Sequence, residues 1–340
     1  MNEMADKKNL VIIECGIELS QFTKHFLDIG KFFGSIIANS TCDFIIDPIE
    51  EDEQELWIPL ELINLINGLI PGDDSISPLL LLYEKSHFKS FLPLPPHDQF
   101  IAEWLTKKQK DNEKNYIKDM EELFNDVVKY TNKQIKILPL FFESDYGITF
   151  TYRDQTGFIR LYQLFGQLNL LKKFDINPTD ISESIASLTL KDVKRNFDKK
   201  ILTPNSKKAV QSADCIVISP SDLVSLSYML KNKELIDTLK ESEAILIAIS
   251  PLSSRKQPNQ REIPLLKLLG LEYNQESFFY QIKELVDAVV IDIADSELAK
   301  LALEMGLHVI IEDLIQIKES FSFINAILKE VGLSVLDITM

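Results

Sequence analysis

The sequence predicts an α/β fold: a Rossmann-like, mostly parallel sheet with helices on both faces and an antiparallel β insert. Three observations predict it. The chain opens strand–helix–strand–helix over residues 9–70. Its last third alternates unbroken apolar runs with helix-like stretches, as parallel strands covered on both faces do. Between the two, residues 136–165 turn into short β-rich runs separated by turn residues, which read as antiparallel hairpins. On this pattern the 340 residues form one α/β domain, with 9–70 and 210–332 as its Rossmann-like core and 71–209 as a helical and β-hairpin insert region.

Each element has its own signal. Leu10–Ile13 is an apolar strand, "ECG" a turn, and "IELSQFTKHFLDIGKFF" an amphipathic helix. "SIIAN", 35–39, is a second strand, followed by the acidic loop "DPIEEDEQE", 47–55, and a helix in "PLELINLINGL", 59–69. "ISPLLLLYEKS" suggests a strand near 79–83. The prolines of "FLPLPPHDQF" exclude central sheet. Residues 98–131 read as one or two helices with a polar break at "KKQKDNEKN". "IKILPLFF", "GITFTYRD" and "GFIRLYQLF" are strands joined by the turns "ESDYG" and "DQTG". After a polar connector, 166–210, strands fall at 214–218, 244–249, 288–292 and 308–311, with helices between and after them. "INAILKEVGL" stops at Gly332, where a left-handed residue closes a helix at little cost.

Composition narrows the function classes. Hydrophobic residues make up 45% and charged residues 26%, ordinary for a soluble globular protein. No apolar run reaches the roughly 18–20 residues a bilayer span requires. "MNEMADKKNLVIIE" passes from a polar tail into a strand with no signal-peptide core; the expectation is a cytoplasmic protein without a membrane partner. A net charge of −16 excludes nucleic acid held through its phosphates, while leaving room for a phosphorylated small molecule at a local basic site. The cysteines, Cys15, Cys42 and Cys215, are too few and scattered for a disulfide framework. Cys15 and Cys42 end the first two strands and would share a crevice if those strands are neighbours, as a soft-metal or redox pair or as ordinary buried thiols. His25, His87 and His308 show no ligand spacing. Glycine, at 11 residues, is near half the average usage of about 7%, a poor endowment for a loop that cradles phosphate on backbone amides.

One turn stands out. In "SADCIVISPSDLVSLSYMLKNKELIDTL", 212–239, a strand ends in Ser-Pro-Ser-Asp and a helix begins. Open α/β sheets hold ligands at such strand ends. Ser221 or Asp222 caps the helix, contacts a ligand, or does both; an aspartate there can only accept hydrogen bonds.

The stretch from that turn onward resembles the 2-phospho-L-lactate transferase (CofD-like) family, as a divergent member. "ADCIVISPSDLVSLSYMLKNKELIDTLKESEAILIAISP" is similar to its strand, turn, helix and following strand; "SPLSSRKQPNQREIPLLKLLG", 250–270, continues without a gap; and "LVDAVVIDIADSELAKLALEMGLHVIIEDLIQIK", 285–318, is similar to its Asp-rich strand–helix–strand. "PHDQFIAEWLTKK" and "ILPLFFESDYGITF" occupy the places of two earlier family segments. The resemblance implies transfer of a phospholactate-type group from a guanosine-diphosphate-activated donor to a deazaflavin in coenzyme F-420 biosynthesis, with Mg²⁺. It implies Asp43 as a catalytic and metal residue, Asp98 as a second catalytic residue with Lys107 at a later basic position, and Gly16, Ser221, Asp222, Arg255 and Lys256 as ligand-binding residues. The family's glycine-rich phosphate loop is reduced here to "ECGIELSQF", with Gly16 retained and Gln21 at the lysine position. Cys42 and Phe100 stand where the family has aspartates, and Asp222-Leu223 where it has Asn-Pro. His97, next to Asp98, reads as an acid–base neighbour or as a cap at a helix start. Glu14 and Glu18 flank the loop; each would repel a phosphate 4–5 Å away by about 1 kcal/mol in a water-like medium. The alternative is a catalytically silent relative acting as a binding or regulatory subunit, as a homodimer or in a heteromer with an active relative.

Overall fold

The computed structural model describes residues 8–16, 19–29, 34–39, 44–46, 56–58, 65, 135–141, 147–152, 155–160, 201–257, 262, 263, 266 and 270–338. The elements are β1 (Leu10–Cys15), α1 (Gln21–Ile29), β2 (Gly34–Ala38), β3 (Phe44–Ile46), β4 (Leu56–Ile58), β5 (Ile135–Pro139), β6 (Gly147–Tyr152) and β7 (Gln155–Arg160). There follow α2 (Pro204–Gln211), β8 (Cys215–Pro220), α3 (Leu223–Met229), α4 (Lys233–Glu241), β9 (Ile245–Ile249), α5 (Gln275–Ile282) and β10 (Ala288–Asp292). A 3₁₀ turn, Ile293–Leu298, leads into α6 (Ala299–Glu304), β11 (His308–Glu312), α7 (Ser320–Lys329) and α8 (Val335–Ile338).

Seven strands form one sheet in the order β11-β10-β9-β8-β1-β2-β5, and every neighbouring pair in it is parallel. β1 lies inside the sheet, next to its central strand β8, with Leu10 opposite Gly34 of β2 on one side and Cys215 of β8 on the other. All six residues of β1 are buried, because helices cover both faces of the sheet. Strand alternation divides the core in two. Leu10 and Ile12 pack with Phe22, Phe26, Phe323 and Ile324, from α1 and α7. Val11, Ile13 and Cys15 pack on the other face with side chains of α2 to α6. On α1 the apolar residues fall at Phe22, Phe26 and Leu27, a helical spacing that aims them at one layer. Phe22 meets Phe323 edge-on at 6.3 Å, and His25 shares a 2.8 Å hydrogen bond with the Ser320 hydroxyl.

The first and last parts of the chain thus share one parallel sheet, as their apolar-run pattern predicts. β5 departs from expectation. Residues 136–139, read as part of an antiparallel system, belong to the parallel edge strand next to β2, with Ile36 opposite Ile137. The burial of Ile135, Ile137 and Leu138 explains it: the segment supplies core to the sheet. β6 and β7 pair antiparallel with each other in a separate two-stranded sheet. Tyr152 there faces Gln155 and Phe150 faces Gly157, so Gln155, Thr156 and Gly157 of the expected turn lie inside β7. β3 and β4 also pair antiparallel, at the borders of the acidic 47–55 stretch. α1 begins at Gln21, four residues later than the pattern suggested, just after Ser20, whose hydroxyl accepts from the Thr23 amide at 3.2 Å. Gly332 closes α7 as expected: its φ is +78°, and the Leu333 amide bonds to the Leu328 carbonyl at 3.0 Å. The predicted elements near 79–83 and over 98–131 lie outside the described residues. Among the described residues, no helix is long and apolar enough to cross a membrane.

Candidate functional site

The order of strands locates the site. From β1 the chain moves outward to β2 and β5 on one side, then returns to β8 and moves outward through β9, β10 and β11 on the other. β1 and β8 are therefore adjacent strands whose connections run in opposite directions. The helix following β1 covers one face and the helix following β8 covers the other. At such a switch point the loops separate and leave a crevice beyond the strand ends.

Gly16 ends β1 at that point, with φ +121°. A Cβ built on it would lie 2.0 Å from Ser221 Oγ and 2.4 Å from Asp222 Oδ2. Only glycine allows this approach of the two loops, which the Ser221 amide fastens by donating to the Cys15 carbonyl at 2.8 Å. Asp222 is the N-cap of α3: its Oδ1 accepts from the Ser225 amide at 2.6 Å. Glu262, buried as well, accepts from the Leu223 amide at 3.1 Å.

Glu14 does not flank the crevice as a free acid. It is buried at the start of α1, where it accepts from the Ser20 amide at 2.7 Å, the Ser20 hydroxyl at 2.9 Å and the Thr23 hydroxyl. Ser20 Oγ in turn lies 2.6 Å from Ser219 Oγ at the end of β8. Burial pushes the Glu14 carboxyl up to about 7, against the lowering effect of the Thr23 and Ser20 hydrogen bonds. The protein's own carboxyl thus sits where a phosphate would approach the helix N-terminus.

The crevice itself, about 80 Å³, is lined by Ser20, Gln21, Lys24, Ser221, Ser250 and Lys256, among others. Its described lining contains two lysines and no carboxylate. Lys24 escaped the sequence reading, although it lies one helical turn beyond Gln21, on the same face. Lys256 also lines an adjoining cavity of about 380 Å³, together with Ser253, Tyr273, Asn274, Gln275 and Asp295.

Arg255 sits otherwise than its neighbour. Its guanidinium grips the fully buried Asp292 through Nε at 2.9 Å and Nη2 at 2.5 Å, and reaches Asp313 at 2.6 Å. This pairing holds the Asp313 carboxyl well below the usual range. On its other side the 252–257 loop is tied to Asp295, which accepts from the Ser254 amide at 3.2 Å and from Gln275 Nε2 at 3.2 Å. Gln275 Oε1 accepts from the Ser250 hydroxyl at 2.7 Å. The loop is therefore fixed on both flanks, and Lys256 has no salt bridge with a described residue.

The structure thus brings Gly16, Ser221, Asp222 and Lys256 to one end of the sheet and turns Arg255 toward its own aspartates. Asp43, Asp98, Lys107, His97, Glu18 and Cys42 lie outside the described residues. Cys15 and Cys215 are buried, and burial pushes the Cys215 thiol up to about 12. Among the described residues no group of three His, Cys, Asp or Glu side chains is placed to hold a metal ion. A larger cavity, about 500 Å³, lies at the opposite end of the strands, lined by Glu243, Asp287, His308 and Glu330. Its carboxylates disfavour an anionic ligand, and it lacks the switch-point geometry.

No protein-family model matches the chain, and no curated protein matches it. Among solved structures, a crystal structure of a protein member of the upf0052 family (bh3568) from Bacillus halodurans aligns with a TM-score of 0.54 at 17% identity, covering 90% of this chain and 93% of that one. A second crystal structure, of protein BH3568 from Bacillus halodurans, aligns with a TM-score of 0.45 at 16% identity, over 90% and 93% of the two chains. The first likeness extends the shared α/β fold across nearly the whole length of both proteins.

Proposed function

We propose that this chain is a divergent relative of the 2-phospho-L-lactate transferases and that its crevice between β1 and β8 binds a phosphorylated small molecule of the guanosine diphosphate type. The observation that carries the proposal is a crevice at the topological switch point, lined by Lys24 and Lys256 and free of carboxylates in its described lining, on a chain of net charge −16. The sequence resemblance of segments within 213–318, and a fold shared with the UPF0052 protein over nine-tenths of this chain, support the family reading. As an enzyme it would transfer a phospholactate-type group from the guanosine-diphosphate-activated donor to a deazaflavin. Mg²⁺, Asp43 and Asp98 belong to this proposal by resemblance. Gly16 and Asp222 hold the turn whose Ser221 lines the crevice, and Lys256 faces the anionic part of the donor.

Glu14 favours a second reading, a catalytically silent relative that binds ligand or an active partner. The family's glycine loop would present backbone amides to phosphate; here the carboxyl of Glu14 accepts the Ser20 amide instead. Titration calorimetry of guanosine diphosphate with Mg²⁺ tests both readings. The expected result is binding weaker than low micromolar, reduced further by Lys256→Ala. Tight binding unaffected by Lys256→Ala would place the phosphate elsewhere. Turnover of a deazaflavin acceptor would reject the silent reading, and no detectable nucleotide binding would reject the transferase reading.

A further inference from the structure

We propose that one elongated anionic ligand spans the two cavities on either side of Lys256, with its acidic group between Lys24 and Lys256 and its body in the 380 Å³ cavity beside Tyr273. This deepens the reading of the strand-end crevice as a ligand site and rests on it. The ligand class follows from the lining and does not require a guanosine group.

The narrow crevice has room for little more than a small group, being about 80 Å³, against the hundreds of cubic ångströms of a pocket that encloses a whole small molecule. Its polar side chains are Lys24, Lys256 and Gln21 with the hydroxyls of Ser20, Ser221 and Ser250. Lys24 and Lys256 are exposed and form no salt bridge with a described residue. Two such cations beside the Ser221 hydroxyl suit a phosphate or carboxylate, while the Ser20 and Ser250 hydroxyls already donate to Glu14 and Gln275. The adjoining cavity is nearly five times larger and differs in character. It offers the Tyr273 ring, the buried Gln275 amide and the buried Asp295 carboxylate, a surface for a flat organic body with an N–H or O–H on its edge. Lys256 is the residue common to both linings.

Arg255 serves this site as a positioning residue. Its pairs with Asp292 and Asp313 hold one flank of the loop, and Asp295 holds the other through the Ser254 amide. The Lys256 backbone is thereby fixed before ligand arrives, which reduces the ordering cost of binding.

The test is equilibrium binding of three probes to the full chain: inorganic pyrophosphate, phosphoenolpyruvate and guanosine diphosphate. Pyrophosphate reports the anion subsite alone, phosphoenolpyruvate a compact phosphorylated carboxylate, and the nucleotide an anion attached to a flat body. Lys24→Ala and Lys256→Ala, both exposed positions, are each expected to weaken pyrophosphate by about tenfold or more, the loss of one charged hydrogen bond. Tyr273→Ala is expected to weaken the nucleotide and leave pyrophosphate unchanged. Pyrophosphate binding without nucleotide binding would uphold the anion subsite while rejecting the guanosine reading. Absence of binding by every probe, or binding indifferent to both lysine changes, would overturn the proposal. So would a Tyr273→Ala effect on pyrophosphate equal to that on the nucleotide.

Discussion

Glu14 concentrates the chemistry of the switch point in one side chain. Burial raises its carboxyl to about 7 from 4.5. Between those values the folded protein holds a proton that the unfolded chain has released, so stability falls as pH rises through the window. A shift of that size corresponds to a total on the order of 3 kcal/mol. Glu14→Gln cannot titrate, and the Ser20 and Thr23 hydroxyls can turn to accept from its amide. The variant is expected to gain stability relative to the natural protein as pH rises from 4.5 to 7, measured by urea unfolding at a series of pH values; parallel curves would contradict it. The identity of Glu14 was legible in the sequence, but its direction was not. A charge next to a loop reads as a flank until the fold shows that Ser20 and Thr23 surround it. The Gly16 turn was legible as a glycine at a strand end, whereas its contact with Ser221 depends on a strand some 200 residues away in sequence.

The loop 252–257 shows the same division among elements. Its basic pair was visible as "SSRK", yet Arg255 and Lys256 have opposite fates. The difference arises from Asp292 and Asp313, which end β10 and follow β11. Arg255→Met would leave the buried Asp292 carboxylate with the Ala294 and Leu314 amides alone. Uncompensated buried charge is destabilising. The expected outcome is a lower melting temperature for Arg255→Met, partly restored by adding Asp292→Asn; an unchanged melting temperature would contradict the clamp. The strands of the last third were legible almost to the residue, since unbroken apolar runs bounded by polar turns admit few alternatives. β5 was misassigned because "IKILP" has the same composition as a hairpin strand. Its parallel partner β2 lies a hundred residues upstream, beyond any local signal.

At the scale of the molecule, the alternating pattern foretold a parallel sheet but not the order of its strands. That order makes β1 and β8 neighbours and so creates the crevice. The global charge gave no hint of a site lined by lysines, because Lys24 and Lys256 come together from parts of the chain more than 200 residues apart. Two ends of the sheet now compete as ligand sites: the lysine-lined crevice beyond the carboxyl ends of the strands, and the acidic cavity around Asp287 and His308. Hydrogen exchange with and without guanosine diphosphate and Mg²⁺ separates them most directly. The account predicts slowed exchange at the Ser20 and Thr23 amides and across 253–257, where the Lys256 amide bonds to Ser253, with no change at 242–246 or 308. Protection confined to 242–246 and 308, or absent throughout at saturating ligand, would contradict it.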